Sequence, residues 1–198
     1  MMPVPRPGDL PPRVPRLRDA PHRALCRLAL RVAGWKLDGE LPDLPRLVLI
    51  AAPHSSWWDG VWGLLMKVAI GADIRFMAKK ELFRPPLAGV LRQLGGIAVD
   101  RGATTGVVGQ LLAQFERQPR LWLGIAPEGT RKPVQRWKSG FWRIAHGAGV
   151  PVLPVAFDYP SKSIVIGTPM HTSTDLDADL ARLRAFYAPF RGKHRGTA

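Results

Sequence analysis

His54 and Asp59 are the residues of this sequence whose types and spacing could do chemistry. They lie in the run His54-Ser55-Ser56-Trp57-Trp58-Asp59, an imidazole followed at i+5 by a carboxylate. A histidine oriented by a carboxylate is the minimum equipment of a general base. On one continuous helix, positions i and i+5 point roughly 140° apart and would not meet. They can meet if His54 lies in a loop and the helix starts just after it. Ser56 as N-cap and Asp59 at the third helical position fit a capping box, which puts the acid on the first turn and within reach of the histidine. The plainer alternative is that Asp59 only caps the helix and His54 is an ordinary surface histidine, because His-x4-Asp is short and arises easily by accident.

Three further blocks follow. Phe76-Met77-Ala78-Lys79-Lys80-Glu81 and Gly95-Gly96-Ile97-Ala98-Val99-Asp100-Arg101 each end an apolar run on a cation. Pro127-Glu128-Gly129-Thr130-Arg131 reads as a tight turn leaving a strand. Gly129 tolerates positive φ, so the backbone can come close to a ligand. Thr130 offers a hydroxyl, and Arg131 a fork matched to phosphate. Lys79, Arg101 and Arg131 on one rim beside a His–Asp pair point to a phosphorylated substrate, although each taken alone is as well explained as a solvated charge. Glu128 could contact substrate or hold a loop through backbone N–H groups.

The elements that must position these groups alternate. Strands are predicted at Leu47–Ala52, Ile74–Met77, Ile97–Val99, Leu121–Ala126, Val152–Phe157 and Ser163–Ile166. Helices are predicted over about 57–70, 86–93, 104–118, 139–147 and 175–188, the last capped by Thr174. Near-continuous apolar runs separated by helices predict an α/β fold: a single domain with a mostly parallel sheet covered by helices. Ligands of such sheets bind at the carboxyl ends of the strands, where His54 falls. Trp57, Trp58 and Trp62 open the second helix, a spacing more usual for core than for a ligand platform.

Residues 1–20 are rich in proline and arginine and predict a disordered or extended basic arm, with the folded domain over 21–198. After the arm, Arg23, Arg27 and Arg31 form one stripe of a helix, and Leu25, Leu28, Ala29 and Val32 another side. This short N-terminal basic amphipathic helix could lie on an anionic membrane, pack its apolar side on the domain, or do both. No stretch approaches the ~18 to 20 apolar residues of a membrane span, and the N-terminus lacks the apolar core of a secretory signal.

The chain has 198 residues and a formal net charge of +14. That excess implies an anionic partner: nucleic acid, an anionic membrane surface or phosphorylated small molecules. The single cysteine, Cys26, excludes an internal disulfide and a cysteine-based zinc site. The histidines at 22, 54, 146, 171 and 194 show no ligand spacing, so neither a metal nor another cofactor is expected, with carboxylate-bound Mg²⁺ left open.

Taken in order, His54-x4-Asp59, Gly96-Ile97-Ala98-Val99-Asp100-Arg101, Pro127-Glu128-Gly129-Thr130-Arg131 and Val150-Pro151-Val152-Leu153-Pro154-Val155 resemble the blocks of the glycerolipid acyltransferase family. Its bacterial members include the 1-acyl-glycerol-3-phosphate acyltransferases. The resemblance runs from about Leu47 to Pro169. It implies His54 as base, Asp59 as its orienter, and Arg101 with Glu128, Gly129, Thr130 and Arg131 as binders of a glycerol-phosphate acceptor, with Lys79 nearby. It further implies an acyl-CoA or acyl-carrier protein donor, and lysophosphatidic acid or a related lysolipid as acceptor. The enzyme would act from the cytoplasmic side as a peripheral protein on the inner face of the cell membrane. The chain departs from the family in having Pro53 before the histidine and Ala126 before the Pro-Glu-Gly-Thr run. Other lysolipids or amino-acid-derived lipids stand as alternative acceptors. Rivals of another class are a catalytically silent lipid-binding relative and a basic nucleic-acid-binding protein. No nucleic-acid motif accompanies the charge, so no specific nucleic acid is expected as partner.

Overall fold

A computed structural model describes residues 9–17, 22–100, 102–132, 134 and 136–194. Among them the chain runs α1 (Arg23–Ala33), β1 (Lys36–Asp38), β2 (Arg46–Ala52), α2 (Trp57–Ile70), β3 (Ile74–Lys79), α3 (Leu87–Gln93), β4 (Gly96–Val99), α4 (Gly106–Arg117), β5 (Leu121–Ile125), α5 (Gly140–Ala148), β6 (Val152–Asp158), β7 (Ser163–Ile166) and α6 (Leu176–Tyr187). The strands form a 7-stranded sheet in the order β1-β7-β6-β2-β5-β3-β4. The expected α/β architecture is the one observed.

β2 is central and shows why the sheet is buried on both faces. Val48, Ile50 and Ala52 join one core with Leu111, Phe115, Phe141, Ile144, Leu183 and Tyr187, from α4, α5 and α6. Leu47 and Leu49 point the other way, into a core with Leu30 of α1 and Met66, Ala69 and Ile70 of α2. Successive strand residues face opposite sides, so a strand covered twice must read as an unbroken apolar run. β2 pairs in parallel with β5, Ile50 beside Ile125, and with β6, Ala52 beside Ala156. Tyr187, fully buried, locks α6 onto these strands: its hydroxyl donates to Ile50 O at 2.7 Å and accepts from Val155 N at 3.0 Å.

Because β2, β3, β4, β5 and β6 are mutually parallel, their carboxyl ends emerge on one rim. His54 follows β2, Lys79 ends β3, Asp100 follows β4, Glu128 follows β5 and Tyr159 follows β6. This is the fold's contribution to function.

The sheet is mostly parallel, as expected, and four details go beyond the sequence reading or differ from it. β7 is antiparallel to β6, because only residues 159–162 separate them, with Lys162 N bonded to Tyr159 O; a parallel return needs a crossover of a dozen or more residues. The short β1 was not foreseen and pairs with β7 at the sheet edge. α6 is capped by Asp175, whose Oδ1 accepts from Ala178 N at 3.0 Å, and not by Thr174. The basic arm, over residues 9–17, is seated on the domain: Leu10 and Val14 are buried, Leu17 N bonds Gly71 O at 2.9 Å, and Asp73 N bonds Pro15 O at 2.8 Å.

α1 packs Cys26, Leu30 and Ala33 inward. Leu25, Leu28 and Val32, which formed the apolar side in the sequence, lie 65%, 54% and 80% exposed.

Candidate active site

β2 ends at Ala52, and α2 begins at Trp57 behind Ser56, whose extended backbone (φ −144°, ψ 155°) makes it the N-cap. The capping box is complete, so His54 lies in the loop and Asp59 on the first helical turn. Asp59 is only 1% exposed. Its Oδ2 accepts from Ser55 N at 2.9 Å and Ser56 N at 2.8 Å, and lies 3.3 Å from His54 Nδ1. Its Oδ1 accepts from the Tyr159 hydroxyl at 2.6 Å. Burial alone would raise the Asp59 carboxyl, but the bonds from His54, Tyr159 and the Ser56 backbone hold it below the ordinary carboxylate range. An ionised, buried carboxylate therefore faces the imidazole, whose side chain is 26% exposed.

Glu128 is buried, and its Oε1 accepts from His54 N at 3.0 Å. The Glu-Gly-Thr turn and the histidine loop are thus fastened together. Gly129 has φ +65° and N bonded to Ala126 O at 3.0 Å. The positive φ is what requires glycine; a Cβ there would meet only the flexible end of the Lys138 side chain, Cδ at 2.9 Å, which can move aside. Thr130 is half-buried with Oγ1 accepting from Lys132 N at 3.2 Å, and Arg131 is exposed. Lys79 is exposed at the end of β3, next to Lys80, which pairs with Asp100 at the end of β4. Gln110 of α4 fixes Asp100, accepting from its N at 2.9 Å and donating to its O at 2.6 Å. Arg101 lies outside the described residues.

The sequence did not single out two features of this rim, and it showed a third only in part. Tyr159 is one. The second is the segment after α6, which returns across the site: Tyr159 N bonds Arg191 O at 2.8 Å, and His194 N bonds Ser55 Oγ at 3.3 Å. The third is a column of indoles. Trp57 stacks on Trp58, Trp58 on Trp62, and Trp62 on Trp35, with centroids 4.3, 5.6 and 5.2 Å apart. Trp57 is 57% exposed, and Lys193 Nζ lies 5.2 Å from the Trp58 ring centre. The column is neither plain core nor open platform. The only advance signal for it was the tryptophan cluster itself.

A model of the acyltransferase family matches residues 40–158. The chain belongs to the acyltransferase family. It is 27% identical over 135 residues to a 1-acyl-sn-glycerol-3-phosphate acyltransferase of Streptococcus pneumoniae, covering 64% of this chain and 50% of that protein. It is 32% identical over 95 residues to the Escherichia coli enzyme of the same name, covering 44% of this chain and 38% of that protein. The matched segments thus span half or less of these relatives. The crystal structure of the 1-acyl-sn-glycerophosphate (LPA) acyltransferase PlsC from Thermotoga maritima shares the fold, with a TM-score of 0.60 and 19% identity over 83% of this chain and 74% of that one.

The lowered Asp59 pKa has a consequence for acid stability. A depressed carboxylate stabilises the fold fully above its unfolded pKa of about 3.9, and the contribution is lost as pH falls through the folded value. Asp59→Asn should therefore flatten the fall in stability below about pH 4. At neutral pH it should cost about 1–3 kcal/mol through mismatched buried partners. Urea unfolding of both proteins at pH 3 to 7 measures this; parallel pH curves would contradict it.

Proposed function

We propose that the protein is an O-acyltransferase that moves a fatty acyl group from an acyl thioester to a hydroxyl of a glycerol-phosphate lysolipid, in phospholipid biosynthesis. The observation that carries this reading is the buried Asp59 carboxylate at 3.3 Å from His54 Nδ1. With Nδ1 turned to the acid, Nε2 is the nitrogen left to face an acceptor. His54 Nε2 takes the proton of the acceptor hydroxyl as that oxygen attacks the thioester carbonyl. Asp59 keeps the imidazole in the Nδ1–H tautomer and stabilises the imidazolium. The tetrahedral adduct then expels the thiolate, which recovers the proton from His54, leaving an ester and a free thiol.

Lysophosphatidic acid or a related lysolipid is the acceptor we favour, by analogy with the 1-acyl-sn-glycerol-3-phosphate acyltransferases that this chain resembles. Its phosphate would meet Lys79, Arg101 and Arg131, with Gly129 and Thr130 giving close backbone and hydroxyl contact. Glu128 serves the same site by holding the His54 loop against the Glu-Gly-Thr turn. The donor is acyl-CoA or acyl-carrier protein; a net charge of +14 favours encounter with either anionic carrier. We place the protein at the cytoplasmic face of the membrane as a peripheral enzyme. Among the described residues no helix is long and apolar enough to cross a membrane, while α1 presents Leu25, Leu28 and Val32 outward beside exposed Arg31. Apolar side chains flanked by arginine suit insertion at an anionic lipid surface.

Thiol release from acyl-CoA or acyl-carrier protein, with lysophosphatidic acid present, tests the reaction. Wild type should release thiol only with acceptor. His54→Ala should lower the rate by about 10²–10⁴ without loss of fold; release by His54→Ala close to the wild-type rate would reject the base. Membrane docking is tested without truncation, because Leu10, Val14 and Leu30 belong to the core. Replacing Leu25, Leu28 and Val32 together by Asp should weaken sedimentation with phosphatidylglycerol vesicles at least about tenfold, given the burial energy of such side chains. Undiminished binding would exclude α1 as the docking face.

A further inference from the structure

Asp59 is gripped from two sides. Its Oδ2 is served by its own loop: Ser55 N, Ser56 N and the His54 ring. Its Oδ1 is served from the end of the neighbouring strand β6 by Tyr159, 100 positions further along the chain. We propose that Tyr159 is a positioning residue for acyl transfer, its hydroxyl fixing the rotation of the Asp59 carboxylate and thereby the aim of the His54 imidazole. The proposal rests on His54 and Asp59 acting as base and orienter.

The physical case begins with the freedom of an aspartate. Its terminal torsion is broad and roughly two-fold, and donors to one oxygen alone leave the carboxylate able to turn. A second donor on the other oxygen removes that freedom. Tyr159 is itself held firmly enough to act as an anchor. Its ring meets Trp35 edge-on, with centroids 5.0 Å apart at 88°. Trp35 stacks in turn on Trp62 of α2, the helix that carries Asp59. The Tyr159 backbone is tied at N to Arg191 O (2.8 Å) and at O to Lys162 N (3.2 Å). Anchor and carboxylate therefore share one braced unit.

The hydroxyl also draws charge from the carboxylate. Without it, Asp59 would bind the proton on His54 Nδ1 more strongly, and the imidazolium would become harder to deprotonate. The ionisable groups around the pair are Glu128 from the turn after β5, bonded to His54 N, and Lys193 and His194 from the segment after α6, on Trp58 and Ser55. Burial and the adjacent Asp59 carboxylate push the Tyr159 phenol well up, so it stays protonated at neutral pH. Tyr159→Phe thus removes a hydrogen bond without changing a charge.

The experiment compares wild type, Tyr159→Phe and His54→Ala for acceptor-dependent thiol release, with pH profiles and melting temperatures. The expected result for Tyr159→Phe is a fall in kcat of about five- to thirtyfold, the loss of one charge-assisted hydrogen bond expressed as a rate. Acceptor KM should stay within about twofold, and the acid limb of the profile should move to higher pH. Tyr159→Phe should have no further effect in a His54→Ala background. An unmoved or lowered acid limb overturns the proposal, whether kcat falls or not, since a merely structural tyrosine would lower the melting temperature without touching the titration of the base. If His54→Ala itself stays active, the His–Asp reading has failed. If it is inactive while Tyr159→Phe behaves as wild type, only the role of Tyr159 has failed.

Discussion

The Asp59 carboxylate sets the terms for the rest of the structure. A charged group taken from water is tolerable only when its oxygens are fully engaged. Here that demand is met by the first turn of α2, by two backbone N–H groups of the preceding loop, by the His54 ring and by Tyr159 beyond β6. Satisfying the acid and aiming the imidazole are one arrangement. The loop between β2 and α2 must take the path that points both N–H groups at one oxygen, and that path leaves His54 on the rim.

The parallel sheet makes that rim available. A central β2 flanked by β5 and β6, with β3 and β4 beyond, delivers five strand ends to one side. The Glu-Gly-Thr turn is drawn to the histidine loop by Glu128, a buried acid bonded to the His54 backbone. The end of β4 is fixed by Gln110 and the Lys80–Asp100 pair. A cationic acceptor site on this rim would therefore be built on braced strand ends.

Much of this was legible in the sequence for identifiable reasons. β2, β5 and β6 are buried on both faces and had to be written as unbroken apolar runs. The Ser56–Asp59 capping box is local, and local hydrogen bonding leaves a local signature. Tyr159 left none: its role arises from a contact 100 positions away, and a lone tyrosine after a strand carries no pattern. The proline- and arginine-rich composition reads as an extended basic arm, but the seating of residues 9–17 was not legible, because burial of Leu10 and Val14 and the backbone bonds of Leu17 N to Gly71 O and Asp73 N to Pro15 O leave no local pattern. α1 was half legible. Its apolar residues were visible, but Cys26, Leu30 and Ala33, not Leu25, Leu28 and Val32, form the face that meets the domain.

The central claim is that Asp59 acts on the reaction by holding His54 in one tautomer and one direction. Steady-state kinetics of Asp59→Asn, with an acyl thioester and lysophosphatidic acid and with fold verified at neutral pH, address it most directly. An amide in place of the carboxylate keeps the size but abolishes the charge that stabilises the imidazolium. The expected result is a loss of kcat of at least about a hundredfold with acceptor KM nearly unchanged. A folded Asp59→Asn protein that turns over within about threefold of wild type, below the range of general-base effects, would contradict it and leave Asp59 a helix cap alone.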